Sequence, residues 1–174
     1  MSAAEIWTSK LPQGVTLRVF NGDDVIFTSG GKWLMPIFEL ENFLQSYSGP
    51  RDNLRAHDTA IGKAAAVMMI RLGVKHIHAN IVSDLALSYI EQLNNQTQQH
   101  ESNTSESCAD EAGACAEKIA IVYDTKVPKL LCATEDELAP MTDTKAMYRI
   151  LRRRAKLTDS TTAENLSCKY SSRK

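Results

Sequence analysis

The stretch from His57 to Leu93 (HDTAIGKAAAVMMIRLGVKHIHANIVSDLALSYIEQL) constrains the fold more than any other part of this chain. Its apolar pattern predicts a helix from about Thr59 to Leu72, a strand from Lys75 to Val82, and a second helix running to about Leu93. Lys63 and Arg71 are the only charges on the first helix, so it is apolar on nearly every side. A helix of that kind is covered on more than one face. Gly73 is placed to close it, and Ser83 or Asp84 to cap the next.

The flanking sequence supplies the other elements. Val15 to Thr28 reads as a hairpin around Asn21-Gly22. Between Trp33 and Tyr47, Leu34, Ile37, Phe38, Leu40, Phe43 and Leu44 recur with a helical period, and Pro36 is tolerable in the first turn. Gly49-Pro50 ends that helix. Lys118 to Tyr123 predicts a buried strand, Lys129 to Cys132 a short second one, and a final helix begins near Thr142 and passes Leu151. Helices alternating with strands place the chain in the α/β class, as a three-layer α/β/α sandwich with a mixed sheet.

Asn94 to Glu117 differs in kind, with no Lys, no Arg and no large apolar side chain. Such a stretch cannot bury enough surface to offset its ordering entropy, so it reads as a disordered polar insert. The domain expected is residues 1–153 with this insert at about 94–117, followed by a basic, unstructured tail over 154–174.

The formal net charge of -1 conceals an asymmetry. From Arg152 onward there are seven basic residues and two acidic ones. A basic tail on an acidic body can contact nucleic acid or anionic lipid. Arg152, Arg153, Arg154 and Lys156 can equally end a helix as solvated cations that complement its dipole. No apolar run reaches the roughly 20 residues needed to span a bilayer, which excludes a helical membrane span. MSAAEIWTSK lacks the pattern of a signal peptide, and Cys108, Cys115, Cys132 and Cys168 match neither a disulfide scaffold nor paired zinc clamps. These features predict a cytoplasmic protein with free thiols.

The two predicted helix starts lie where a zinc deaminase would keep its metal. Such an enzyme needs three side chains on Zn²⁺ and a glutamate to move protons, in the pattern H-x-E and P-C-x-x-C. Here the first start reads His57-Asp58-Thr59, with a threonine at the glutamate position. The second reads Val82-Ser83-Asp84-Leu85-Ala86, with both thiolates replaced. One histidine does not hold a catalytic zinc, so no metal and no cofactor are expected. His76 and His78 share a strand face, but no third ligand stands at a useful spacing.

Asp58, Gly62, Lys63, Ala64, Ala65 and Ala66 are followed by Gly73, Val74, Lys75, Ala79, Val82 and Ser83. Tyr123, Val127, Pro128, Pro140 and Met141 come later. With these residues the chain resembles the family known as domain of unknown function 1893, over about Val15 to Leu151 without the insert. The resemblance implies a cytidine-deaminase-like fold lacking the deaminase signature. Two positions depart from the family pattern: Thr59 replaces a lysine, and Ala139 stands where relatives tend to carry the cysteine of C-P-M. Cys132 is expected to pack in an apolar strand, where a thiol yields little thiolate.

The candidate ligand site is Asp58, Gly62 and Lys63 with Ser83, Asp84 and His57. Lys63 can pair with Asp84 or Asp58, join the amides of two helix starts in binding an anion or nucleotide, or act as a nucleophile. The expected function is a non-catalytic small-molecule, anion or nucleotide-binding protein. The alternatives are an enzyme using Asp58 and Lys63 as an acid/base pair, or an interaction module without a ligand. A homo-oligomer is compatible with all three.

Overall fold

The structure, a computed structural model, describes residues 9–102 and 118–156. Leu17–Asn21 (β1) and Asp24–Ser29 (β2) form the hairpin expected around Asn21-Gly22, with the loop one residue later. Asn21 pairs with Asp24, so Gly22 and Asp23 make the turn. The Asn21 side chain holds it in the strand, donating to Tyr47 Oη at 3.0 Å and to the Pro50 carbonyl at 2.8 Å. Met35–Ser46 (α1) follows, with Pro36 in its first turn as expected.

Leu54–Ile61 (β3) is the principal departure from the sequence reading, which placed His57 to Thr59 at a helix start. These residues lie inside a strand of the central sheet. Leu54, Ala56 and Asp58 alternate with Arg55, His57 and Thr59, a period of two that the polar side chains disguise. The helix, Lys63–Arg71 (α2), begins after Gly62 and closes at Gly73, whose φ of 89° is the left-handed conformation that follows a helix end.

His76–Ser83 (β4) and Asp84–Ser102 (α3) come next. The second helix thus continues nine residues past Leu93, into the stretch read as the start of the insert. Asn94 explains the firm anchorage: its side chain donates to the Ile119 carbonyl at 3.0 Å and accepts from the Ile119 amide at 2.9 Å. Packing of the first half carries a polar second half whose composition gave no helical signal. The rest of the expected insert lies outside the described residues.

Ala120–Val127 (β5) leads to Ala133–Leu138 (α4) and a helix at 144–156 (α5). No strand forms over Lys129 to Cys132. Ala155, beyond the expected domain end at 153, is buried in the core.

The strands form one open mixed sheet in the order β2-β1-β3-β4-β5. β1 is antiparallel to both neighbours, and β3, β4 and β5 are parallel. Successive crossovers from β3 to β4 to β5 step in one direction, so right-handed connection places α2 and α3 on the same face. A single apolar cluster agrees. It joins Leu17, Val19, Leu54, Ala56, Ile77 and Ala79 of one sheet face to residues of all five described helices.

The opposite face carries a row across four strands: Arg18, His57, His78 and Val122 stand in register. Phe20 is buried there but separate from the main cluster. Among the described residues, a short stretch around Ser9 and Lys10 meets this face rather than a helix. No described helix is long and apolar enough to cross a membrane.

Candidate functional site

A cavity of about 370 Å³ opens at the carboxyl edge of β3, where α1 and α2 begin. Open α/β sheets characteristically bind ligands at that edge. The helix starts expected to build the site were those after His57 and Ser83. The pair that borders the cavity is instead Lys32 to Pro36, entering α1, and Gly62 to Ala65, entering α2. Leu130, Cys132, Thr134 and Glu135 form the remaining wall, on the segment that crosses above the sheet edge.

Asp58 is a buried titratable group in the wall of this cavity. It is 8% exposed and lies on the core face of β3, with Leu17 and Ala79 as its strand partners. Its Oδ1 accepts from the Ala60 amide at 2.9 Å and from Thr59 Oγ1 at 3.4 Å. Burial pushes the carboxyl up to about 7, against the opposing effect of those donors. Expected at a helix start, Asp58 is instead a buried carboxyl inside a strand.

Trp33 also lines the cavity, 38% exposed, with φ 55°. A bulky residue in the left-handed region carries strain of about 1–3 kcal/mol. Its ring is tilted on Phe38 with centroids 6.2 Å apart. Sequence reasoning missed Trp33 as a site residue; the Gly30-Gly31 break just before it was the one local signal.

The place expected for an anion holds the chain's own carboxylate. Glu135 of α4, 2% exposed, accepts hydrogen bonds from Ser83 Oγ and, at 3.4 Å, from the Lys63 amide. Ser83 Oγ also caps α3 by accepting from the Ala86 amide at 3.1 Å. One side chain thus closes the starts of α2 and α3, where helix-end amides favour negative charge.

Lys63 pairs with neither candidate acid. Its Nζ donates to the carbonyls of Ala139 at 3.0 Å and Met141 at 2.6 Å. Burial lowers its pKa, and the Glu135 charge opposes that effect. The lysine of G-K-A-A-A therefore holds the backbone of Ala139-Pro140-Met141, which joins two separate pieces of the sequence pattern in one contact.

Gly62 explains how Glu135 gets in. A Cβ there would overlap Glu135 Oε2 and lie 2.9 Å from Leu130 Cδ1. Gly62→Ala is expected to cost about 1–3 kcal/mol in denaturant unfolding, as overpacking does. Its φ of -95° suits alanine, so the cost should largely disappear in a Glu135→Ala background. An undiminished cost there would assign the effect to another contact.

The other candidates lie elsewhere. The Asp84 side chain is half-exposed and pairs with Lys126 at 3.1 Å. His57 faces the opposite side of the sheet, its Nε2 2.7 Å from Asn80 Oδ1 and its ring 4.1 Å from that of His78. Burial holds His57 below the ordinary histidine value, the Asn80 hydrogen bond opposing. His78 Nε2 lies 3.1 Å from Asp124 Oδ1. Among the described residues, no group of three or more His, Cys, Asp or Glu side chains is arranged to hold a metal ion. Cys132 is a half-buried free thiol at the cavity wall and the residue before α4, rather than part of an apolar strand.

Fold and site together define an α/β domain on a mixed five-stranded sheet, with a small-molecule-sized cavity at the entry to its helices. The chain belongs to the family described as domain of unknown function (DUF1893), whose TM1506 model matches residues 8–105. The Val127-Pro128 and Pro140-Met141 pieces of the pattern lie beyond the matched residues. The chain is similar in structure to a DUF1893 family protein (TM1506) from Thermotoga maritima, with a TM-score of 0.58 and 23% identity, covering 82% of each chain. That likeness bears on the fold. No curated protein matches the sequence.

Proposed function

We propose that this domain is a non-catalytic binding protein whose cavity takes a small, mainly apolar molecule carrying a cationic or N–H-bearing nitrogen. The observation that carries this reading is Asp58, a carboxyl sunk in a cavity walled by Leu34, Pro36, Ala64 and Leu130. Pockets of this kind bind through apolar contact and orient their ligand through a few polar groups. Trp33 supplies an aromatic surface that suits a planar ring or a cation.

An anion or nucleotide fits less well. The buried ionisable groups of the wall are the two acids Asp58 and Glu135, while the Lys63 ammonium is engaged by carbonyls. An Asp58/Lys63 acid/base pair loses its lysine for the same reason. A carboxyl near pKa 7 is nevertheless suited to proton transfer, which keeps an Asp58-based reaction as the second reading. The deaminase-like character of the fold is part of the proposal; it is supported by helix starts sharing a cavity at the carboxyl edge of the sheet.

Thermal melts with a panel of small heteroaromatic amines and amidines, at pH 6 and pH 8, test the proposal. A ligand at about 100 times its Kd stabilises by about 2.7 kcal/mol, or roughly 5–10 °C here. The shift should be larger at pH 8, where Asp58 is ionised, and should vanish in Asp58→Asn. No shift with any compound, or one unchanged by Asp58→Asn, would refute it.

A further inference from the structure

We propose that α5 is a docking strip for the phosphate backbone of a nucleic acid, independent of the cavity. The helix at 144–156 contains six basic residues and no acidic one. Its apolar stripe, Met147, Leu151 and Ala155, is buried in the core. Lys145, Arg149, Arg152, Arg153 and Lys156 are exposed away from that stripe. Spacings of three, four, seven and eight residues keep them on one side of a helix.

The cations are not all consumed by internal pairing. Arg152 pairs with Glu41 at 3.1 Å and Arg154 with Glu137. Among the described residues Lys145, Arg149, Arg153 and Lys156 enter no ion pair. Arg149, Arg152, Arg153 and Lys156 line a groove of about 310 Å³ with Tyr148. The Arg71 guanidinium lies 4.2 Å from the centre of the Tyr148 ring, which adds a cation from α2 beside the groove.

The chemistry of the strip selects the partner. From Lys145 to Lys156 the helix rises about 16 Å, the length of roughly five phosphates at 3.4 Å along one strand. Arginine, which binds phosphate in bidentate fashion, supplies four of the six cations. A membrane-surface helix would add apolar anchors beside its charges, but the apolar side of α5 is committed to the core. The strip holds phosphates and reads no bases, so binding is insensitive to sequence.

The test uses the full chain and fluorescein-labelled 12-nucleotide RNA, DNA and duplex probes, with anisotropy read at 50 and 200 mM KCl. Four released counterions predict a loss of affinity of roughly 50–150-fold over that range. Arg149→Gln/Arg153→Gln should weaken binding and lower the log–log salt slope by roughly 1.5, with no change in melting temperature. The double variant separates α5 from the later residues Lys169, Arg173 and Lys174, which remain in it. No binding at 50 mM KCl overturns the proposal, as does an unchanged slope in the double variant. Binding to phosphatidylserine/phosphatidylcholine vesicles without binding to the oligonucleotides would assign the strip to lipid and overturn it equally.

Discussion

Glu135→Ala is expected to lower the unfolding free energy by about 3–5 kcal/mol, the largest loss among single changes in the clasp that Glu135 forms with Ser83 Oγ and the Lys63 amide. The carboxylate is 2% exposed and serves the Lys63 amide and Ser83 Oγ. Removing it leaves a buried amide and hydroxyl short of an acceptor, at about 1–3 kcal/mol for each group so stranded. It also takes the opposing charge from Lys63, an ammonium whose burial already lowers its pKa. Glu135→Gln retains an acceptor oxygen and should cost less. In a Lys63→Met background the buried cation is gone, so Glu135→Ala should cost less there than in the parent. Urea unfolding of the four proteins gives the cycle. A loss under about 0.5 kcal/mol for Glu135→Ala, the scale of an ordinary surface change, would show that the clasp adds nothing to stability.

The clasp also marks where the sequence stops being readable. The period of α1, the long apolar run of α2, the turn near Asn21-Gly22 and the strand before Ser83 all announce themselves through local pattern. β3 does not, because His57, Asp58 and Thr59 interrupt its apolar alternation. Their polarity invites the reading of a helix cap, whereas Gly62 is the true helix boundary. The helix starts expected to share a site are those of α2 and α3, whereas the cavity is bordered by the starts of α1 and α2. Glu135 could not have been found from pattern at all. It lies 72 residues from Lys63, within a Thr-Glu-Asp-Glu run in which nothing distinguishes the inward acid from its exposed neighbours. Asn94 likewise reaches Ile119 through a long-range contact that composition does not encode.

Asp58→Asn should stabilise the protein most at pH 8 and less at pH 5, where well under half of the pH-dependent loss has accumulated. In the folded chain the Asp58 carboxyl titrates near 7, against 3.8 for the unreacted group. Between those values the native state holds a proton that the unfolded state has released. Unfolding free energy therefore falls as pH rises through that window, by a total on the order of 4 kcal/mol above pH 7. Asparagine cannot ionise, yet its Oδ1 can still accept from the Ala60 amide, so the variant should lose the pH-dependent component and keep the contact. Slopes from other groups are shared by variant and parent and cancel in their difference. The relevant quantity is thus the difference between variant and parent, measured by urea unfolding at pH 5, 6, 7 and 8. A difference that stays constant across this range would mean that Asp58 is ionised throughout, and would remove the basis for its role in the cavity. A widening difference would identify a group that weakens the fold at neutral pH, the trade-off between stability and function expected of a binding site. A cationic ligand that recovers the lost stability in the parent at pH 8, and does nothing for Asp58→Asn, would then tie that instability to binding.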